Sequence, residues 1–187
     1  MFARRSFIFG IAALLCAGGA GGRRTCVIVN EREVCVDRAA HPHRPLLVFL
    51  HAYGSSGHDD QLMLAALAKS HDISYAAPDA LPNQSGNREW ADADIAFVGA
   101  LIKSLVLAAN ADSTRVYLVG VSLGGFLALE FACAHPEQVH AVVSVSGTRF
   151  EPMQECVRGA VSGRARPDGA CDSRRSRISD GARHGRR

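Results

Sequence analysis

Short apolar runs and longer amphipathic ones alternate along most of this chain. Leu46 to Leu50 and Ala141 to Val145 are continuous apolar stretches, and Arg115 to Val119 is a third of similar length. Such runs read as strands buried on both faces of a sheet. Ser74 to Ala77 is a shorter strand, stopped by Pro78-Asp79. Between the strands lie helical patterns. Asp60 to Ser70 offers Leu62, Leu64, Ala65, Leu67 and Ala68 as one apolar side. A longer helix carries Ile95, Val98, Leu101, Ile102 and Leu105 at three- and four-residue spacing, with Asp92 as its cap. Gly124 to His135 forms another, ended by Pro136. Strands separated by helices predict an α/β fold, a mostly parallel sheet with helices on both faces.

The start of the chain follows different rules. Arg4 and Arg5 precede a short apolar run, Phe7 to Cys16, and then the small residues Ala17 to Gly22. This is the layout of an export signal, and the run is too short for a stable membrane anchor. Residues 1–20 are therefore expected to be a signal peptide and the protein to be secreted, extracellular or periplasmic. An oxidising destination makes cysteine pairing the default. Cys26 and Cys35 flank a two-residue turn at Asn30-Glu31, which sets them directly opposite each other in a hairpin. The same register puts Val27, Val29, Val34 and Val36 on the other, buried face. Cys133 and Cys156 form the second plausible couple, which leaves Cys171 over.

The chemistry concentrates at Gly120-Val121-Ser122-Leu123-Gly124, between an expected strand and an expected helix. In that context G-x-S-x-G makes a sharp turn that lifts the serine hydroxyl above the sheet edge. The helix N-terminus beyond it favours developing negative charge. Ser122 is the expected nucleophile, and the backbone N–H of Leu123 one oxyanion donor. The loop after Leu46–Leu50, His51-Ala52-Tyr53-Gly54, should supply the second donor through the N–H of Tyr53. His51 ends a strand before that loop, which suits a structural role better than that of a base. His41-x-His43 offers two metal ligands at most and reads as linker; no metal or cofactor is expected.

From about Thr25 to Cys156 the chain resembles secreted polyhydroxybutyrate depolymerases, feruloyl esterases and related α/β-hydrolases. The matching pieces are Leu47-Val48-Phe49-Leu50-His51, Pro78-Asp79, Gly86-Asn87-Arg88 with Trp90, Asp94-Ile95-Ala96-Phe97-Val98, Arg115-Val116-Tyr117 and Gly120-Val121-Ser122-Leu123-Gly124-Gly125. The resemblance implies an acyl-enzyme on Ser122, formed from a small or polymeric ester and then hydrolysed by water. One departure stands out: the family has His-Gly where this chain has His51-Ala52, a methyl group set against the backbone turn. The fold also implies a carboxylate and a histidine after the serine, in that order. Asp168, Asp172 or Asp180 with His184 satisfies the order formally. A catalytically dead scaffold that binds ligands or partners is the alternative from another class, and a peptidase or thioesterase would use the same elbow.

Composition bears mainly on the C-terminus. Nine of the arginines fall in the last 31 residues, with no lysine and only three aspartates, so the basic balance of the chain, formally +3, belongs to that tail and the rest is close to neutral. No nucleic-acid-binding motif accompanies the charge, so no nucleic-acid partner is expected. Large aliphatics nearly vanish after Cys156. This is the composition of GC-rich DNA read in the wrong frame. Read from their second bases, the codons for Ala165 to Cys171 permit Pro-Val-Leu-Met-Val-His, an apolar strand ending in histidine. The expected organisation is therefore a signal peptide over 1–20, an incomplete hydrolase domain over 25–156 lacking its last strands, and a frameshifted, disordered tail over 157–187.

Two outcomes are expected. Mass spectrometry of the mature protein should find an N-terminus near Ala20; retention of Met1 to Cys16 contradicts the export reading. The 187 residues alone should hydrolyse p-nitrophenyl acetate no faster than their Ser122→Ala variant, and Ser122-dependent turnover overturns the frameshift reading.

Overall fold

A computed structural model describes residues 24–58 and 62–147. The expected signal peptide over residues 1–20, together with Cys156, Cys171, Asp168, Asp172, Asp180 and His184, lies outside the described residues. Strands β1 (Thr25–Val29), β2 (Arg32–Asp37) and β3 (Leu46–Leu50) are followed by helix α1 (Leu62–Ser70) and strand β4 (Ser74–Pro78). Helix α2 (Asp94–Ala108), strand β5 (Val116–Val121), helix α3 (Leu123–Ala134), a short 3-10 turn and strand β6 (Ala141–Val145) complete the order. The sheet runs β1-β2-β4-β3-β5-β6. β4, β3, β5 and β6 are parallel, and the β1–β2 hairpin joins antiparallel at the edge.

Side-chain alternation along the strands divides the core into two layers. Leu46, Val48 and Leu50 of β3, Ala76 of β4 and Val116 and Leu118 of β5 face α2 and α3, where Val98, Leu101, Leu105, Leu127 and Phe131 cover them. Phe49, Tyr75 and Ala77 point the other way, against Ala65 and Ala68 of α1. Helices thus cover both faces, and each large apolar side chain fully buried there is worth about 1.5–3 kcal/mol.

The hairpin takes the expected register, with Cys26 opposite Cys35 and Val29 opposite Arg32. Asn30 and Glu31 both adopt positive φ, 47° and 66°. A two-residue turn needs this if its twist is to match the strands. The Cys26 and Cys35 sulfurs stand 2.05 Å apart, while Val27, Val29, Val34 and Val36 join the main core. Arg32 then ties the hairpin to α2. Its guanidinium pairs with Asp94, both side chains buried, and lies 4.3 Å from the centroid of the Phe97 ring.

Three expectations are corrected. Asp92 does not cap α2: the N-cap position is Ala93, and the Asp94 carboxylate accepts the Ala91 N–H at 3.0 Å instead. The strand expected at Arg115–Val119 is shifted to Val116–Val121, because Arg115 is drawn to Asp112 at 2.7 Å. β6 is not buried on both faces. Its pattern alternates exposed and half-buried, with Val143 52 % and Val145 47 % exposed. β5 is its sole partner among the described strands, and α3 covers only the face carrying Val142.

At the N-terminal edge of the parallel strands, two carboxylates clamp the connections. Asp72 accepts from His41 Nδ1, Arg44 Nε and the Ala40 N–H, and these bonds hold it well below the usual carboxylate range. Asp112 accepts from Thr114 and Arg115 and titrates at about 2.

Asp94→Ala leaves the Arg32 guanidinium buried without its carboxylate and should cost about 3–5 kcal/mol in urea unfolding. The pH dependence has a definite sign. Asp112 has a folded pKa below its unfolded value of about 3.9, so its contribution is full above that value and lost as pH falls towards about 2. Asp112→Asn should flatten the acid limb of stability over that window, measured by denaturation at fixed pH.

Candidate active site

The serine pentapeptide folds as a strand-to-helix elbow. β5 runs through Gly120 and Val121, Ser122 turns the chain, and α3 begins at Leu123. Ser122 has φ 50° and ψ −116°, a conformation costly for any residue with a side chain. Such strain persists only where its surroundings impose it. Here the Ser122 N–H donates to the Val145 carbonyl of β6 at 2.8 Å, and the Phe126 N–H donates to the Ser122 carbonyl at 3.1 Å.

The flanking glycines are required by proximity. A Cβ on Gly120 would lie 2.1 Å from the Gly124 carbonyl oxygen. One on Gly124 would lie 2.2 Å from the Leu50 oxygen and 2.5 Å from that of His51. The first turn of α3 therefore rests directly on the end of β3, where the His51–Gly57 loop begins. A serine before a helix ordinarily serves as a cap, its side chain bonded to an N–H of the first turn. Ser122 makes no such bond. Leu123, as the first helical residue, has no intrahelical acceptor for its N–H.

The neighbouring loop is held from several sides. His51 is fully buried; its Nε2 accepts the Ala80 N–H at 2.9 Å. Nδ1 therefore carries the proton and donates to the Ala52 carbonyl at 2.7 Å. With both ring nitrogens engaged, His51 is a structural histidine, as its position in the sequence suggests. Trp90 packs beside its ring at 5.0 Å and donates from Nε1 to the His51 carbonyl. Asp79, also buried, accepts the Gly57 N–H at 2.7 Å and pairs with Arg88, whose carbonyl accepts the Gly54 N–H. In the sequence Pro78-Asp79 reads as a strand stop and as one piece of the family resemblance, with no role in holding the loop. The usable signal was a charged residue at the end of an otherwise apolar strand.

Ala52 does not have the left-handed backbone that would set its methyl group in conflict with the turn; the positive φ, 71°, falls on Gly54. Tyr53 is half exposed, and its hydroxyl accepts from Asn83 Nδ2 at 3.2 Å. Another group also escaped the sequence. Ser144 Oγ, buried on β6, would meet a Cβ placed on Gly125 at 2.6 Å or on Gly147 at 2.3 Å. The second glycine of the Gly124-Gly125 pair thus leaves room for the Ser144 side chain of β6.

Cys133 lies half-buried in α3; its expected partner Cys156 is outside the described residues. His41, His43, His71, His135 and His140 belong to the opposite, N-terminal edge of the strands. α3 alone separates His135 from Ser122 by about 18 Å.

Gly124→Ala should destabilise the protein by at least about 2–3 kcal/mol, because backbone rather than a flexible side chain blocks the added methyl. Ala52→Gly should change stability by less than about 1 kcal/mol. Thermal unfolding of both variants checks the pair.

Residues 45–167, more than half of the chain, match the alpha/beta hydrolase fold family. NocK of Nocardia uniformis subsp. tsuyamanensis, named an esterase, is 34 % identical over 121 residues, 60 % of this chain and 35 % of NocK. Feruloyl esterase B of Neurospora crassa is 33 % identical over 72 residues, 32 % of this chain and 25 % of that protein. The chain therefore spans about a third or less of the length of these relatives. Among solved structures, acetyl xylan esterase from Aspergillus awamori superposes with a TM-score of 0.52 at 16 % identity, over 67 % of this chain and 53 % of that one. That likeness concerns the fold. With the strained elbow at the end of a parallel strand, the family match places this chain in the alpha/beta hydrolase fold family.

Proposed function

We propose that the chain carries the nucleophile half of a secreted serine carboxylic-ester hydrolase, acting on a small or polymeric ester of the feruloyl-ester or polyhydroxyalkanoate kind. One observation carries the reading. Ser122 is held at φ 50° with no capping bond, beside the first N–H groups of α3, which have no intrahelical acceptor. An ordinary serine turn does not require the strain, and a serine before a helix ordinarily caps it. Both sequence relatives are named as esterases, which supports the same reaction.

In the proposed mechanism Ser122 Oγ attacks the ester carbonyl carbon and loses its proton to a histidine base. The oxyanion formed is received by the N–H groups of Leu123 and Tyr53. The alcohol departs with a proton, and water then releases the acid from the acyl-enzyme. The contact of α3 with the end of β3 supports the pairing of those two donors, since it brings their segments together. Export is supported by the layout of residues 1–22. A disulfide between Cys26 and Cys35 is supported by their opposed register; the pairing of Cys133 with Cys156 rests on the sequence alone.

The second reading is a ligand-binding scaffold without turnover. It is favoured by the placement of His41, His43, His71, His135 and His140 at the far edge of the sheet; of the described histidines, His51 and His58 stand on the elbow's side, and His51 is committed to Ala80 and Ala52. A fluorophosphonate probe separates the two in a chain whose residues after Cys156 are re-encoded in the alternative reading frame. Ser122-specific labelling is expected, and Ser122→Ala should lower ester hydrolysis by several orders of magnitude. An unlabelled serine, or near-normal turnover by the variant, refutes the esterase.

A further inference from the structure

Three potential ligands converge on the edge hairpin, far along the sheet from the elbow. Cys26 Sγ, Cys35 Sγ and a Glu33 carboxylate oxygen all lie within 4.8 Å of one another. The register explains the grouping. Cys26 opposes Cys35 directly, and Glu33 is two residues from Cys35, so all three project from the same face of the ribbon. We propose that this face is a redox-gated site for a borderline-soft divalent cation such as Zn²⁺. It is closed while the two sulfurs are joined and formed when they are reduced.

The hairpin does not depend on a sulfur bridge for its place. Val27, Val29, Val34 and Val36 anchor its other face in the core. β2 also pairs with β4, and Arg32 is tied to Asp94. After reduction the strands keep their register, so the two thiols stay opposed. A tetrahedral zinc ion asks for sulfur atoms about 3.8 Å apart, given Zn–S distances of about 2.3 Å. Directly opposed residues with Cα atoms 4.0 Å apart reach that spacing by side-chain rotation. Glu33 supplies a third, oxygen ligand, and the fourth position is left to water. Asp37, further along the same face, is held by Arg24 at 2.8 Å and remains outside the set.

The gating step balances. A dithiol reductant gives two electrons and two protons to the Cys26–Cys35 bridge, yielding two thiols and its own disulfide. Cys26 stands exposed on the edge strand, where a reductant can reach its sulfur. Metal binding then releases both thiol protons, because the thiolates are the ligands.

The test uses the whole chain with Zn²⁺ alone and with Cd²⁺, whose thiolate charge-transfer absorbance reports sulfur ligation. The dithiol-reduced chain should bind one ion that the oxidised chain does not. The Cys26→Ser, Cys35→Ser double variant, folded by circular dichroism, should lose that ion and its absorbance. Glu33→Gln should weaken Zn²⁺ binding at least about tenfold. Three results overturn the site: an equal Cd²⁺ band in the double variant, unchanged affinity in Glu33→Gln, or equal binding by oxidised and reduced chains.

Discussion

The architecture turns on one close approach of backbone to backbone. Gly124, in the first turn of α3, stands so near the Leu50 and His51 carbonyls that a single added carbon would lie 2.2 Å from the first of them. Gly120 has the same relation to Gly124 itself. With these contacts in place, β5 must turn abruptly into α3, and the residue at the turn takes a φ that only glycine adopts freely. That residue is Ser122. The strain at the nucleophile is therefore a consequence of packing two glycines at van der Waals limits, and the β6 carbonyl that accepts the Ser122 N–H helps to keep it there.

The same approach joins the elbow to the loop after β3. Without support, a loop of His, Ala, Tyr, Gly and Ser would sample many conformations. Here almost every constraint comes from the segment after β4. Ala80 and Trp90 hold the His51 side chain and carbonyl, Arg88 holds the Gly54 N–H, and Asp79 holds that of Gly57. Each bond is worth only about 1 kcal/mol net, yet leaving a buried partner unsatisfied costs more than that. The arrangement accordingly acts as a unit. It makes the conformation beside Ser122 depend on residues 79–90, which take no part in the proposed chemistry.

Charge is distributed by edge. Carboxylates at the N-terminal edge of the strands, Asp72 and Asp112, fasten exposed connections and titrate low because arginine, histidine or hydroxyl groups face them. The buried pair Arg32–Asp94 is of another kind. It links the peripheral hairpin to α2 through a desolvated contact, with Phe97 against the guanidinium. The hairpin consequently belongs to the core even though β1 is an edge strand.

Local pattern made much of this legible. The two-residue turn at Asn30-Glu31, the register of Cys26 with Cys35, the strand at Ala141–Val145 and the elbow at Gly120–Gly124 follow from periodicity, turn chemistry and glycine spacing. Those are properties of neighbouring residues, and no distant partner was needed to read them. Only the tertiary structure decided the rest. Asp94 instead of Asp92 closes the start of α2 because its buried partner, Arg32, comes from a strand 62 residues away. β6 is half exposed because burial depends on what packs against a strand, not on its own apolar run. His51 is committed to Ala80 and Trp90, and Ala52 is tolerated where a glycine was expected, because the chain places its positive φ at Gly54. Each outcome depends on contacts between residues remote in sequence, and periodicity along one segment carries no record of them.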